Sequence, residues 1–196
     1  ADAMKAADDA LLFKTIVKSI ARQHGFHATF MAKPFGDTAG NGLHVHFSVL
    51  DEGGKNIFDN GTEQGSEALQ FAIGGLINAM QESTLIFAPH QNSYRRMRPG
   101  SFAPTSAAWG YENRSCAIRI PGGPHAARRI EHRVAGADAN PYLMLAVILG
   151  AALVGMEDKV APPPPLRGNA YEANTPQLPL DWLTAIVAFR SGTTIA

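Results

Sequence analysis

The spacing of apolar residues along the 196-residue chain predicts four helices. Apolar side chains recur every three to four positions over residues 8–23, and Gly25 is placed to end that helix. We predict that this stripe packs into the core. The same spacing predicts helices at residues 65–80, 141–157 and 183–190. Asn140 and Pro141 suit the start of the helix at residues 141–157, which is apolar nearly all round and should be buried.

A different pattern, in which polar and apolar residues alternate, predicts strands. Over residues 43–49 this alternation puts His44, His46 and Ser48 on one face and the apolar residues on the face toward the core. Further strands are predicted at residues 27–33, 55–58 and 109–121, a binding loop at residues 91–104, and a stiff proline-rich linker at residues 162–165.

The most heavily charged strand is predicted at residues 128–133. Its alternation places Arg129, Glu131 and Arg133 on one surface, while Ile130 faces the core. Such charges cost free energy of desolvation unless each has a partner. Two interpretations remain open: the charges pair among themselves at the surface, or the arginines bind an anionic ligand and Glu131 binds a cation.

Arginine is concentrated in one part of an otherwise neutral chain. The chain carries 17 Lys and Arg against 17 Asp and Glu, yet eight arginines and no lysine lie between residues 95 and 133. Arginine without lysine favours bidentate recognition of carboxylate or phosphate. A nucleic-acid surface usually mixes in lysine and makes the whole domain basic. We therefore expect a small polyanion as the ligand and no nucleic acid.

Composition indicates the general class of protein. A chain of 196 residues with 45% hydrophobic residues can bury a sizeable core. The single cysteine, Cys116, excludes an internal disulfide and suits a reducing compartment. No signal peptide is visible, and no apolar run reaches the roughly 20 residues that span a bilayer. We expect a cytoplasmic location, no membrane, and a chain that starts inside a larger protein.

A glycine-rich loop at residues 36–42 leads into the motif His44-x-His46. Two imidazoles at this spacing can bind one metal ion or divide between a metal and a ligand, and they can equally be surface histidines with ordinary hydrogen bonds. The glycines allow backbone N–H groups to approach an anion closely. The loop has neither the P-loop nor the dinucleotide-binding spacing, so we predict neither.

Taken together, these motifs resemble the glutamine synthetase family. The resemblance rests on G-N-G before His44-x-His46, Asn92-Ser93-Tyr94-Arg95-Arg96, Asn113-Arg114-Ser115, Ile118-Arg119-Ile120-Pro121, Arg129-Ile130-Glu131-x-Arg133 and Ala139-Asn140-Pro141-Tyr142-Leu143. It covers almost the whole chain in the family's order. It implies an α+β fold, an antiparallel sheet flanked by helices. Residues 1–196 would form the C-terminal portion of the catalytic domain, without the N-terminal β-grasp domain and the first catalytic strands.

The resemblance implies an ATP-dependent ligase that joins the γ-carboxylate of glutamate to ammonia or an amine through γ-glutamyl phosphate. It implies Mg²⁺ or Mn²⁺ as the cofactor, ATP as the co-substrate, and a homo-oligomer, a dodecamer of two stacked rings. The residue roles that it implies are metal binding by His44 and Glu131, ATP binding by His46, Ser48, Arg114, Arg119 and Arg129, catalysis by Arg114 and Arg119, and glutamate binding by Gly40, Arg96 and Arg133.

Two residues depart from the pattern of enzymes that use ammonia. Phe102 stands where the family has a glutamate that takes a proton from ammonium, and Ala39 stands in place of an asparagine. Both changes resemble the γ-glutamylpolyamine and γ-glutamylputrescine synthetases, and they favour a larger amine as the acceptor. The segment also offers only one plausible carboxylate for metal binding, Glu131, so we predict that it is inactive when expressed alone.

Two other functions remain possible from the sequence. One is a guanidino-kinase-like phosphotransferase, which also lines its ATP site with arginines but should lack a metal-binding H-x-H. The other is a non-catalytic relative that keeps the fold for assembly, and Phe102 is the residue that supports it.

Overall fold

The computed structural model describes residues 2–195. Within them the helices are α1 (Ala3–Gln23), α2 (Glu67–Asn78), α3 (Met80–Phe87), α4 (Pro141–Glu157) and α5 (Trp182–Arg190), and the strands are β1 (Val45–Phe47), β2 (Trp109–Tyr111), β3 (Ile118–Ile120) and β4 (Ile130–His132). Short 3₁₀ turns occupy Gln91–Arg95 and His125–Ala127. The predicted α+β class is confirmed.

The strands form one four-stranded sheet in the order β1-β4-β3-β2. The pairs β1–β4 and β3–β4 are antiparallel as expected, but β2 and β3 are parallel, so the sheet is mixed. In the β4 register, Glu131 lies opposite both His46 of β1 and Arg119 of β3. Three polar side chains from three strands are thereby placed next to one another on the same face.

The core lies behind this face, where α2 and α4 pack together and the sheet contributes Ile118, Ile130 and Val134, all fully buried. The helices approach closely at two glycines. A Cβ atom on Gly75 would lie 2.2 Å from the carbonyl oxygen of Ala151 and 2.6 Å from the Cα atom of Gly155. The two helices therefore pack closely at Gly75.

Several predicted elements differ from the structure. The helix predicted at residues 65–80 ends at Asn78, and α3 follows immediately. The strand predicted at residues 109–121 is two strands, because Glu112 has a positive φ of 52° and an Asn113 turn follows it. The strand predicted at residues 55–58 is reduced to one bridge between Leu50 and Asn56.

The strand predicted at residues 27–33 does not form. The Asn92 side chain accepts from the Lys33 backbone N–H at 2.8 Å and donates to the Lys33 carbonyl at 2.9 Å. Asn41 bonds the carbonyls of Met31 and Ala32. Because these loop residues satisfy its backbone groups, the segment is extended without a strand partner.

The prediction that the apolar stripe of α1 packs into the core was wrong. The helix begins at Ala3, where Asp2 caps it by accepting from the N–H groups of Met4 and Lys5. Its apolar stripe is exposed, with Phe13 at 60% and Ile16 at 53% of full exposure, and Ala7 is its one buried residue. The periodicity is present, but nothing within residues 2–195 covers it.

The C-terminal helices agree with the sequence. Asn140 caps α4 by accepting from the N–H groups of Tyr142 and Leu143, with Pro141 as the first residue. Its burial is incomplete, since Leu143 and Leu153 are at least half exposed. Across residues 2–195, no helix has the length and apolar character that crossing a membrane requires.

Candidate active site

The site is organised around the carboxylate of Glu131, which is only 3% exposed. One oxygen accepts from Arg119 Nη1 at 2.8 Å, and the other accepts from Arg133 Nη1 at 2.8 Å. His44 Nδ1 lies 3.1 Å and His46 Nε2 lies 3.8 Å from the oxygen that Arg133 contacts. The sheet register produces this convergence, because β1, β3 and β4 each contribute a side chain at the same level.

The charges around Glu131 determine its ionisation. Burial by itself would raise the pKa of Glu131, but the hydrogen bond from Arg119 and the charge of Arg133 outweigh it and lower that pKa. Glu131 is therefore a carboxylate at neutral pH. A buried carboxylate with two guanidinium partners is compensated in charge and in hydrogen bonds.

Both histidines are neutral at neutral pH. Burial lowers the pKa of His44, and the Arg133 charge lowers it further against the opposing charge of Glu131. Burial also lowers the pKa of His46, with Glu131 again opposing it and Arg129 adding to it. Arg129 Nε donates to His46 Nδ1 at 3.2 Å, which fixes the ring and leaves Nε2 facing Glu131. Because His46 Nδ1 accepts this bond, its lone pair is in use and Nε2 carries the proton of the neutral ring. The neutral His44 ring keeps a lone pair that can coordinate a cation.

A cavity of about 350 Å³ opens beside the cluster. It is lined by Ala39, Gly40, Gly42, His44, Arg96, Ser101, Phe102 and Arg133. Arg96 is 4% exposed, and its Nη1 donates to the Val134 carbonyl at 2.9 Å. Burial lowers its pKa to about 10, so the guanidinium stays charged at neutral pH. A Cβ atom on Gly40 would lie 2.6 Å from the Ala32 carbonyl oxygen, so the loop can pass here only with glycine.

Arg114 lies in a separate and larger cavity of about 940 Å³, together with Glu112, Arg128 and Arg167. Glu112 connects this cavity to the cluster. Its two carboxylate oxygens accept from Arg119 Nη2 at 3.1 and 3.0 Å, and one of them also accepts from the Gly122 N–H. The Gly122 bond and then Arg119 lower the pKa of Glu112. The Arg119 guanidinium is thus held between two carboxylates.

Comparison with known proteins identifies the family. Residues 1–196 match the family described as "Glutamine synthetase, catalytic domain". The chain belongs to the glutamine synthetase family. It is 40% identical over 186 residues to the γ-glutamylputrescine synthetase PuuA of Escherichia coli K12, an alignment that covers 95% of this chain and 39% of that protein. It is 45% identical over 171 residues to a glutamine synthetase of Pyrococcus abyssi, covering 87% and 38% respectively.

A solved structure extends this comparison to the fold. The GmaS/ADP complex superposes with a TM-score of 0.93 at 37% identity, over 100% of this chain and 47% of that one. The chain spans about two fifths of the length of the two curated relatives. The fold expected for this part of a glutamine synthetase catalytic domain is confirmed, and the resemblance to the γ-glutamylamine branch is confirmed by the similarity to PuuA.

The structure brings together most of the residues singled out in the sequence. The Glu131 cluster contains His44, His46, Arg119, Arg129 and Arg133, and the adjoining cavity contains Gly40 and Arg96. Ser48 is exposed on the same face of the chain as the two histidines. Arg114 stands apart in the larger cavity, which Glu112 also lines. The individual roles of these residues stay predictions.

The donor set fits a divalent cation in part. His44 and Glu131 present a neutral imidazole nitrogen and a carboxylate oxygen 3.1 Å apart. Glu131 uses one lone pair on each oxygen for an arginine and keeps others. No group of three or more His, Cys, Asp or Glu side chains within residues 2–195 forms a complete metal site. Mg²⁺ and Mn²⁺ take about six ligands, so further ligands would have to come from substrate, water or other protein groups.

Sequence reasoning gave Glu112 no role in the site. It was one of only two acids among eight arginines, and that isolation was a signal that it had an arginine partner. Tyr171 was also not considered, although its hydroxyl donates to the Ala103 carbonyl at 2.9 Å beside Phe102. No periodic pattern pointed to Tyr171, because it lies in an irregular segment.

Proposed function

We propose that the complete protein is an ATP-dependent ligase that joins the γ-carboxylate of glutamate to an amine. The observation that carries this proposal is the convergence of two neutral imidazoles and two arginines on one buried carboxylate, with a third arginine bonded to His46. The adjoining cavity contains a further, buried guanidinium, that of Arg96. Fixed cationic groups of this kind stabilise the charge that develops on a phosphoryl group in transfer. The family membership supports the same reaction.

In the proposed reaction, an oxygen of the glutamate γ-carboxylate attacks the γ-phosphorus of ATP, and ADP leaves with the bonding electron pair. Arg119 neutralises charge on the transferring group once Glu112 has left it, and Arg114 assists from the neighbouring cavity. Arg96 and Arg133 hold the other carboxylate of glutamate in the 350 Å³ cavity. A divalent cation held by His44 and Glu131 would supply further neutralisation of the phosphates.

The second step forms the amide. The amine nitrogen attacks the acyl carbon of γ-glutamyl phosphate, phosphate leaves with the electron pair, and the proton released from nitrogen passes to the departing phosphate. The amine must therefore arrive uncharged, because the ring of Phe102 cannot accept a proton. Phe102 and Ala39 line the same cavity and give it an apolar wall, which suits an alkyl amine better than ammonia.

The test is a panel of amines assayed for ATP-dependent phosphate release with the complete protein, in the presence of Mg²⁺ or Mn²⁺. The panel contains ammonia, putrescine, longer polyamines and ethanolamine. We expect release to depend on both glutamate and an alkyl amine, with ammonia a poor substrate. Activity with ammonia equal to that with every alkyl amine would contradict the assignment of the amine.

A non-catalytic relative is the alternative that a specific observation favours, since Phe102 removes a proton acceptor and residues 2–195 hold only part of a metal site. Phosphate release with no member of the panel would support that alternative. The family match leaves a guanidino-kinase-like phosphotransferase without support.

We also propose a homo-oligomer, with the two-ring dodecamer as its specific form. A cytoplasmic location stays a prediction.

A further inference from the structure

Residues 162–178 form an irregular segment, here called the strap, that runs from the edge of the larger cavity to the loop carrying Phe102. The strap contains neither helix nor strand apart from one bridge at Gln177, yet it is tied to the body of the protein along its whole length. Trp109 Nε1 donates to the Pro163 carbonyl at 2.7 Å at one end, and the Leu178 N–H donates to the Thr105 carbonyl at 2.9 Å at the other.

The middle of the strap is held by the two residues that flank Arg114. Asn113 Nδ2 donates to the carbonyls of Leu166 at 3.2 Å and Gly168 at 2.8 Å. Ser115 Oγ accepts from the Ala170 N–H at 2.9 Å. The position of Ala170, and with it that of the next residue, is therefore fixed from the turn that carries Arg114.

That next residue is Tyr171, and its hydroxyl donates to the carbonyl of Ala103 at 2.9 Å. Ala103 follows Phe102, whose φ of 62° lies in the left-handed region and whose side chain is 80% exposed at the cavity wall. The Tyr171 side chain is half-buried near Arg96 and Arg133. Burial raises the pKa of Tyr171 against the lowering charges of these two arginines, so its hydroxyl keeps the proton that it donates.

Residues 101–103 make other hydrogen bonds, but they are local. Ser101 Oγ lies within hydrogen-bonding distance of the carbonyls of Arg96 and Arg98, both within five residues of it in the chain, and can donate its one proton to either. They define the shape of the turn. The Tyr171 bond is different, because it spans 68 residues and joins the end of the turn to a part of the protein fixed elsewhere.

We propose that Tyr171 is a positioning residue for the amine: its hydroxyl fixes the backbone after Phe102, and so sets where the phenyl ring closes the 350 Å³ cavity. The proposal rests on the proposed function, because it takes that cavity wall to be the amine site. Loss of the hydroxyl would free the loop and weaken binding of the alkyl amine, while every charged group assigned to ATP or glutamate is kept.

The test compares Tyr171→Phe with Tyr142→Phe in the complete protein. Both changes remove one hydroxyl and keep the ring, and the Tyr142 hydroxyl, which donates to Asp8 at 2.6 Å, is not among the groups that line the cavity. For Tyr171→Phe we expect the KM for the alkyl amine to rise about three- to tenfold, the factor that loss of one ordinary hydrogen bond gives. The KM for ATP should not change, and the KM for glutamate should change less than that for the amine, because Arg96 and Arg133 keep their hydrogen bonds to Val134 and Glu131. Tyr142→Phe should leave all three KM values as they are.

Amide hydrogen exchange in residues 101–103 provides a readout that needs no activity. We expect faster exchange there in Tyr171→Phe and no change in Tyr142→Phe. Ser115→Ala releases the Ala170 N–H while keeping Tyr171, and should shift the amine KM and the exchange in the same direction. It also keeps the proposal testable if Tyr171→Phe does not fold.

Unchanged exchange in residues 101–103 would overturn the positioning role. Faster exchange with an unchanged amine KM would overturn the link to the amine. A parent protein that is inactive with every amine would refute the proposed function instead, and the exchange measurement would still decide whether Tyr171 fixes the loop.

Discussion

At the scale of single residues, Phe102 combines two unfavourable features. Its φ of 62° belongs to a region that bulky side chains rarely adopt, and its ring is 80% exposed. Such a conformation costs roughly 1–3 kcal/mol and persists where the surroundings enforce it, most often at functional sites. Together with its place on the cavity wall, this supports a role for the ring in contact with substrate.

Phe102→Glu tests that role. A carboxylate at this position can attract ammonium and take its proton, whereas an alkyl chain loses its apolar wall. We expect the ratio of kcat/KM for ammonia to that for an alkyl amine to rise roughly tenfold or more, the scale of an added general base. The measurement is steady-state phosphate release in the complete protein.

Phe26→Glu is the matched control, because Phe26 is also strongly exposed, at 70%, and does not line the cavity. It should leave the ratio unchanged. If Phe102→Glu also left the ratio unchanged, residue 102 would have no part in selecting the amine.

At the scale of elements, the α2–α4 contact makes a prediction about stability. Gly75→Ala would put a Cβ atom 2.2 Å from the Ala151 carbonyl oxygen, so the helices must move apart. We expect a loss of about 1–3 kcal/mol in the free energy of unfolding, as for other overpacked cores. Chemical denaturation followed by circular dichroism measures it.

Gly150→Ala is the control within the same pair of helices. A Cβ atom there meets nothing within 4 Å, and Gly150 lies inside α4. Alanine is favoured over glycine in a helix by roughly 0.5–1 kcal/mol, so this change should stabilise the protein. The two glycine-to-alanine changes should therefore alter the free energy of unfolding in opposite directions. A Gly75→Ala protein as stable as the parent would show that the contact is looser than described.

The elements also show what the sequence could and could not reveal. The alternation around His44 and His46 and the Asn140 cap were predictable, because each is a local signal read from adjacent residues. The segment at residues 27–33 carried a strand signal as well, but the side chain of Asn92, some 60 residues away, takes its backbone hydrogen bonds. Contacts of this kind have no local signature.

In the candidate site, too, local signals were predictable and contacts between distant segments were not. Glu131 and its arginines could be anticipated from charge pattern and family motifs, whereas the pairing of Glu112 with Arg119 depends on the turn at Glu112, which periodicity does not encode. The Tyr171 bond joins two irregular segments, and sequence alone gave no reason to place them together.

At the scale of the whole molecule, residues 2–195 contain the centre of a site without all of its ligands. His44 and Glu131 would supply two of the about six ligands that a divalent cation takes. We expect the 196-residue chain by itself to show no glutamate- and amine-dependent phosphate release from ATP. The complete protein under the same conditions is the positive control, and activity of the chain alone would show that these groups suffice.

The exposed apolar stripe of α1 affects the solubility of the whole molecule. Phe13, Ile16 and Ile20 are all at least half exposed on one face of the helix. Contiguous apolar surface of this kind lowers solubility when it meets only water. The absence of activity in the isolated chain should therefore be judged at low protein concentration, with folding checked by circular dichroism.

The position of Arg119 between Glu112 and Glu131 has one more consequence. Its guanidinium is already neutralised before any nucleotide arrives, so a phosphate that reaches it replaces the Glu112 carboxylate and adds no new ion pair. Exchange of one anion for another changes the net number of paired charges very little. Binding through this arginine should therefore respond only weakly to ionic strength, unlike the capture of a nucleotide by an uncompensated basic surface.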